Sequence, residues 1–222
     1  MSRLTTVAVA LLVAAPALSP APLPAQQLAE ICRQHRRFTL GQWAMYSSTG
    51  SDTGVMRFAI VGLEGAGDAA RLTYEMQFTN IKRGRPQTTI MQMLVSGLGT
   101  PRPTVHGLVI KNGDEPAMKM PDMMLSAMSG QMLSNIAQEV AKNCEQATVV
   151  GWESVTVPAG TFRALHVRSA EGGDAWVARD VPFGMVRVRD KRGTLMVLTG
   201  HGRDARSAIR EQPREMGGGR RP

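Results

Sequence analysis

Aromatic side chains are scarce in this chain: five Phe, three Trp and two Tyr amount to 5% of its 222 residues. Its basic residues are dispersed along the sequence. With so few rings to stack on bases, nucleic acid is not an expected partner. Histidine is equally sparse. The four, His35, His106, His166 and His201, show no HxxE, HExxH or HxH spacing that would put two ligands on one face. GxSxG, SxxK and a phosphate-cradling glycine loop are also missing, and the acids Asp122, Glu139, Glu153 and Asp180 are scattered. These absences point away from an enzyme and from a resident cofactor. Beyond the first residues, no stretch approaches the ~18 consecutive apolar residues of a membrane-spanning helix.

What the chain does have begins at its start. Arg3 provides a positive n-region, and Val7 to Ala15 is a short uninterrupted apolar run. A Pro- and Ala-rich stretch follows, ending in Leu23-Pro24-Ala25. Residues 1–25 therefore read as a cleavable signal peptide, which predicts a soluble protein of the periplasm or the extracellular space. The formal charge is +8, and the leader removes only Arg3 from it. Such a surface suits an anionic envelope surface as partner.

The chain has two cysteines, Cys32 and Cys144. Export would place them where disulfides persist, so a single bridge between them is expected. Closing so long a loop contributes ~3–5 kcal/mol, mainly by restricting the unfolded chain. A metal or redox pair is the competing reading, since Gln34-His35 follows Cys32; one Cys and one His make half a site, and there is no CxxC.

From Gly41 onward the main signal is alternation with period two. In Arg71 to Thr79, Leu72, Tyr74, Met76 and Phe78 fall on one face, and Thr73, Glu75 and Gln77 on the other. Val55 to Val61 repeats this with Met56, Phe58 and Ile60, and Gln87 to Val95 with Thr89, Met91, Met93 and Val95. Gly65 to Asp68 and Lys82 to Pro86 read as turns. Further short strands are expected at 42–48, 105–111, 148–157, 162–169, 174–179, 185–189 and 194–199. The fold class is mainly β with one central helix: a large curved antiparallel sheet wrapped around a Met-rich helix.

That helix is expected over 121–143, with Leu125, Met128, Met132, Ile136 and Val140 along one stripe. Gly130 weakens it by about 1 kcal/mol relative to Ala. A shorter helix is expected from 26 to 36. Residues 26–200 form a single domain. Residues 201–222, rich in Arg and Gly and poor in apolar residues, are expected to be a disordered basic tail.

Methionine is abundant at fifteen residues, with Met118, Met120, Met123, Met124, Met128 and Met132 close together. Three readings stand side by side. The cluster packs the helix on the sheet, it also lines an adaptable apolar cavity, or Met118, Met120, Met123 and Met124 hold Cu(I) through thioethers.

The run Val155-Thr156-Val157-Pro158-Ala159-Gly160-Thr161-Phe162 leads into Ala164-Leu165-His166-Val167. Ala175-Trp176-Val177-Ala178 and Asp180-Val181-Pro182-Phe183-Gly184-Met185-Val186 come next. This succession resembles exported β-rich proteins of the lipoprotein-carrier (LolA/LolB-like) half-barrel families. The resemblance implies an incomplete barrel around one or more helices, with an apolar cavity between sheet and helix. Carriers of this fold bind acyl chains of lipoproteins or lipids. The function expected is accordingly an exported binding protein for a lipid or another apolar small molecule. Tyr74, Met76, Phe78, Met91, Met124, Met128, Met132 and Ile136 would line its cavity. A structural or envelope-interaction protein without ligand is the alternative.

Overall fold

The computed structural model describes residues 26, 28, 30, 37–50, 53–82, 84–100, 103–126 and 146–216, the side chains of Asp68 and Lys82 apart. The leader 1–25, both cysteines with their expected bridge, and Met128, Met132 and Ile136 lie outside the described residues.

Every strand expected from alternation is present. They are β1 (Trp43–Thr49), β2 (Gly54–Glu64), β3 (Arg71–Lys82), β4 (Arg85–Ser96), β5 (Thr104–Asn112), β7 (Thr148–Val157), β8 (Gly160–Arg168), β9 (Asp174–Val177), β10 (Met185–Arg189) and β11 (Leu195–Gly202). Two-residue strands β6 (Met118–Lys119) and β12 (Arg214–Glu215) complete the set. They are too short for any periodicity to reveal.

All twelve strands join one sheet, in the order β12-β6-β5-β4-β3-β2-β1-β11-β10-β9-β8-β7. The sheet is mixed where an antiparallel one was expected, because β12 runs parallel to β6. The β3–β4 hairpin is its most regular part, holding register from Arg71↔Ser96 to Lys82↔Arg85. Gly84, at φ 75°, takes the left-handed turn position that a side chain would resist. At the other end the sheet curls back on itself. The β7–β8 turn reaches β11, where Ala159 N–H donates to the Leu198 carbonyl at 3.2 Å.

Register explains which side chains meet. Tyr46, Met56 and Phe78 lie opposite one another across β1, β2 and β3, and Phe58, Met76, Met91 and Ile110 form the next row across β2 to β5. Met93, Val95, Leu108, Met120 and Leu125 are buried together, with Tyr74, Met76 and Met91 packed against them. A second cluster joins Ala44, Tyr46 and Leu198 to Val155, Ala164, Trp176 and Val186, tying the curled end to the centre of the sheet.

Helix is sparse among the described residues. Residues 122–126 form a helical turn whose start agrees with the sequence, the Pro121 carbonyl accepting from the Met124 and Leu125 N–H groups at 3.0 Å each. Leu125 packs on β4 and β5, so the apolar stripe does face the sheet where it is described. Residues 26, 28 and 30 are also helical, and Leu28 is buried against Leu165 and Val167.

Residues 201–216, expected to belong to a disordered tail, are ordered; 217–222 lie outside the described residues. His201 and Gly202 finish β11, and residues 203–216 cross the outer face of β2 to β5 as a strap. Ala205 N–H donates to the Gly41 carbonyl, Arg214 N–H to Ala117 and Met216 N–H to Lys119, each at 2.8 Å. Backbone pairing rather than apolar content orders this segment, which is why a composition argument misses it. Ile209 adds a small apolar anchor on Ile90 and Ala117. The strap also covers the polar face of β3. Glu75 is fully buried beneath it.

Candidate functional site

Three places gather chemistry. The first is an apolar cleft of about 300 Å³ lined by Ser48 of β1, Gly54 and Met56 of β2, Phe78 and Asn80 of β3, Val188 and Asp190 at the end of β10, and Thr194 and Met196 at β11. Period-two geometry builds it, since Met56 and Phe78 face each other across β2–β3, as do Ser48 and Met196 across β1–β11. The walls are apolar, and polar groups gather at Ser48, Asn80, Asp190 and Thr194. Asp190 is already engaged. Burial pushes its carboxyl up, but the backbone N–H groups of Thr194 (2.8 Å) and Arg192 (2.9 Å) more than offset this and hold it below the ordinary carboxylate range.

Next to the cleft lies an aromatic cluster. Phe58 contacts Phe78 (ring centroids 6.4 Å), Tyr46 (5.8 Å), Tyr74 (6.3 Å) and Phe183 (6.0 Å). Phe183 also touches Tyr74 at 5.9 Å and Phe38 at 5.8 Å. Burial pushes both tyrosine hydroxyls well above the ordinary phenol range, so both are neutral donors. The Tyr46 hydroxyl is buried and meets no hydrogen-bond partner among the described residues. Phe183 sits at φ 61°, in the third position of a turn closed by Gly184 N–H donating to the Val181 carbonyl at 3.0 Å. That position calls for Gly or Asn, and a bulky residue there stores strain of ~1–3 kcal/mol.

The third place is polar. His166 is 2.8 Å from Glu153 through Nδ1 and 3.0 Å from Asp174 through Nε2. Carboxylates accept, so each contact is a hydrogen bond where the facing ring nitrogen carries a proton. Trp176 stacks on the imidazole at 4.4 Å and donates its indole N–H to Glu153 at 2.8 Å. Arg189 (2.6 Å) and Arg168 (3.0 Å) also donate to Asp174, and Arg187 lies over the Trp176 ring at 4.1 Å. The Arg189, His166 and Arg168 bonds hold the Asp174 carboxyl far below its usual range, and Trp176 and His166 lower Glu153. Both ring nitrogens face carboxylates, which fixes the ring between β7 and β9. The cluster is a clamp between β7, β8, β9 and β10. Among the described residues, no group of three or more His, Cys, Asp or Glu could hold a metal ion.

The expected cavity residues divide. Phe78 lines the cleft, whereas Tyr74, Met76 and Met91 form the packed floor beside it. Met124 is 46% exposed beside the buried Leu125, so it turns away from the sheet. The candidate thioether ligands have unlike surroundings: Met120 is in the core, Met118 is half-buried on β6, and Met123 is 83% exposed. Met56 of the cleft was legible from its alternation. Val188 and Met196 were not, because β10 and β11 are short and their inward faces depend on long-range pairing.

No family model matches the chain, and no curated protein matches it. Two crystal structures are similar in part. One is of a candidate lipoprotein from Parabacteroides distasonis, with a TM-score of 0.36, 15% identity, and coverage of 76% of this chain and 98% of the other. The second is of a candidate exported protein with a YmcC-like fold from Bacteroides fragilis, with a TM-score of 0.35, 12% identity, and coverage of 74% and 96%. No helix among the described residues is long and apolar enough to cross a membrane.

Proposed function

We propose that the protein is an exported, carrier-like binding protein that holds a small apolar molecule, such as an acyl chain, in the cleft between β1–β3 and β10–β11. The reading takes the chain as a relative of the lipoprotein-carrier half-barrels, with no catalytic step. The observation that carries it is the cleft itself, apolar on Met56, Phe78, Val188 and Met196 and polar at Ser48, Asn80, Asp190 and Thr194. Its volume is at the small end of the ~300–1,000 Å³ range of small-molecule sites, which favours a single short chain. Each buried CH₂ contributes ~0.8 kcal/mol, so about ten methylenes supply the ~8 kcal/mol of micromolar binding. Export rests on the leader, and the basic surface suits an anionic envelope.

The test is titration with N-phenyl-1-naphthylamine, an uncharged apolar fluorophore, using the mature chain. Saturable micromolar enhancement is expected, lost in Met56→Asp and in Met196→Asp, each checked for retained folding by circular dichroism. Fluorescence that rises without saturating, or is unchanged in both variants, overturns the reading.

A further inference from the structure

Tyr46 is among the most buried of the described side chains, yet its hydroxyl has no hydrogen-bond partner among the described residues. A buried polar group without a partner costs stability, and a phenylalanine would fill the same space without that cost. The hydroxyl belongs to a wall of rings, with Phe58 and Tyr74 adjacent. The side chain that closes this wall is Phe183, whose ring rests on Phe58, Tyr74 and Phe38. Phe183 itself is held in a left-handed backbone position better suited to glycine, and it is carried on a turn rather than a strand. Two costs thus meet on one ring: Tyr46, with its unmet donor, and the strained Phe183 both pack against Phe58. Strain and unmet polar groups of this kind concentrate at binding sites. The open cleft is contiguous with this point, because Met56 lies opposite Tyr46 on β1–β2 and Phe78 touches Phe58.

We propose that Phe183 is a removable plug in a ligand site. Its occupant is an apolar chain bearing a neutral carbonyl, as in an ester or amide, which displaces the Phe183 ring and accepts a hydrogen bond from the Tyr46 hydroxyl. This rests on the carrier reading above and names its ligand class. The cleft holds the chain while Tyr46 selects the head. The donor is a neutral hydroxyl among aromatic rings, so a carboxylate would lose its water there for a single hydrogen bond, and a neutral acceptor is favoured. Swinging the turn outward relaxes the backbone at Phe183, which offsets part of the ring contacts given up.

The chain holds only two tyrosines, so ¹³Cζ-tyrosine labelling gives two signals, and Tyr46→Phe assigns them. The probe is methyl decanoate, with decanoate at pH 8 as the charged comparison. Methyl decanoate is expected to displace N-phenyl-1-naphthylamine, shift the Tyr46 signal and bind more tightly than decanoate. Tyr46→Phe, which keeps the ring and the fold, should melt no lower than the parent and bind methyl decanoate about 3- to 10-fold more weakly, the range of one hydrogen bond. Phe183→Ala should bind it more tightly, because the plug is gone. Displacement of the fluorophore with an unmoved Tyr46 signal and unchanged Tyr46→Phe affinity overturns this proposal and leaves the carrier reading standing. Binding of neither fluorophore nor ester, by the parent and by folded Phe183→Ala alike, overturns both.

Discussion

Glu75 shows how one residue ties strap to sheet. Its carboxylate accepts from Arg57 (3.1 Å), Gln77 (2.7 Å), Gln92 (2.7 Å) and the backbone N–H of Ala208 (3.0 Å), while Gln92 also reaches Ser207 at 2.7 Å. A buried carboxylate is tolerable only when its lone pairs are filled this way. Glu75→Ala empties the centre of the network and leaves the Arg57 guanidinium, two amides and an N–H without their acceptor. The expected loss is about 2–4 kcal/mol in chemical denaturation. Cleavage between residues 203 and 216 should also quicken under limited proteolysis. Unchanged stability would mean that water replaces the carboxylate at little cost. Alternation placed Glu75 on the face opposite Tyr74, correctly, but could not reveal that something covers that face.

At the scale of the element, the strap depends on a close backbone crossing at Gly41. This residue sits at φ 87°, and a Cβ there would fall 2.4 Å from the Arg203 carbonyl oxygen. Gly41→Ala combines backbone strain with a collision against main chain, so a destabilisation of about 2 kcal/mol or more is expected by thermal or urea unfolding. A chain ending at Gly202 should be destabilised further, because Ile90, Ala117 and Glu75 lose their cover. It should also bind hydrophobic dyes on its outer face. A truncated chain that melts with the full-length protein would show that the strap is dispensable. The helical turn at 122–126 illustrates the opposite case. Its start at Pro121 and the sheet-facing Leu125 were legible from propensity and a 3.6-residue period, both local signals.

For the molecule as a whole, acid is the condition to which the fold should be most sensitive. Lys111 bonds Glu211 and holds its carboxyl down at about 2, and the bonds from Arg189, His166 and Arg168 depress Asp174 further. Both groups have folded values below their unfolded ones, of about 4.5 and 3.8. Their contribution is therefore fully present above about pH 5, declines as pH falls through the unfolded values, and is gone once the folded carboxylates protonate. Melting temperature should be flat from pH 7 to 5 and fall steadily toward pH 2. Lys111→Met should flatten the Glu211 part of that fall. A melting temperature that rises on acidification would refute the assignment.

The sequence by itself determined what depends on neighbours a few residues apart. Period two located the strands from β1 to β11 apart from β6, glycine and proline located their turns, and the balance of apolar residues made the fold mainly β. Which of the alternating faces met one another was decided only by the tertiary structure. Pairing of β1 with both β2 and β11 brings Ser48, Met56 and Met196 to one cleft from segments far apart in the chain. The register of β7, β8 and β9 sets Glu153, His166 and Asp174 within hydrogen-bond reach. The strap is the plainest case, since a segment with little apolar surface gains order from backbone bonds to β-strands that the rest of the chain must first build.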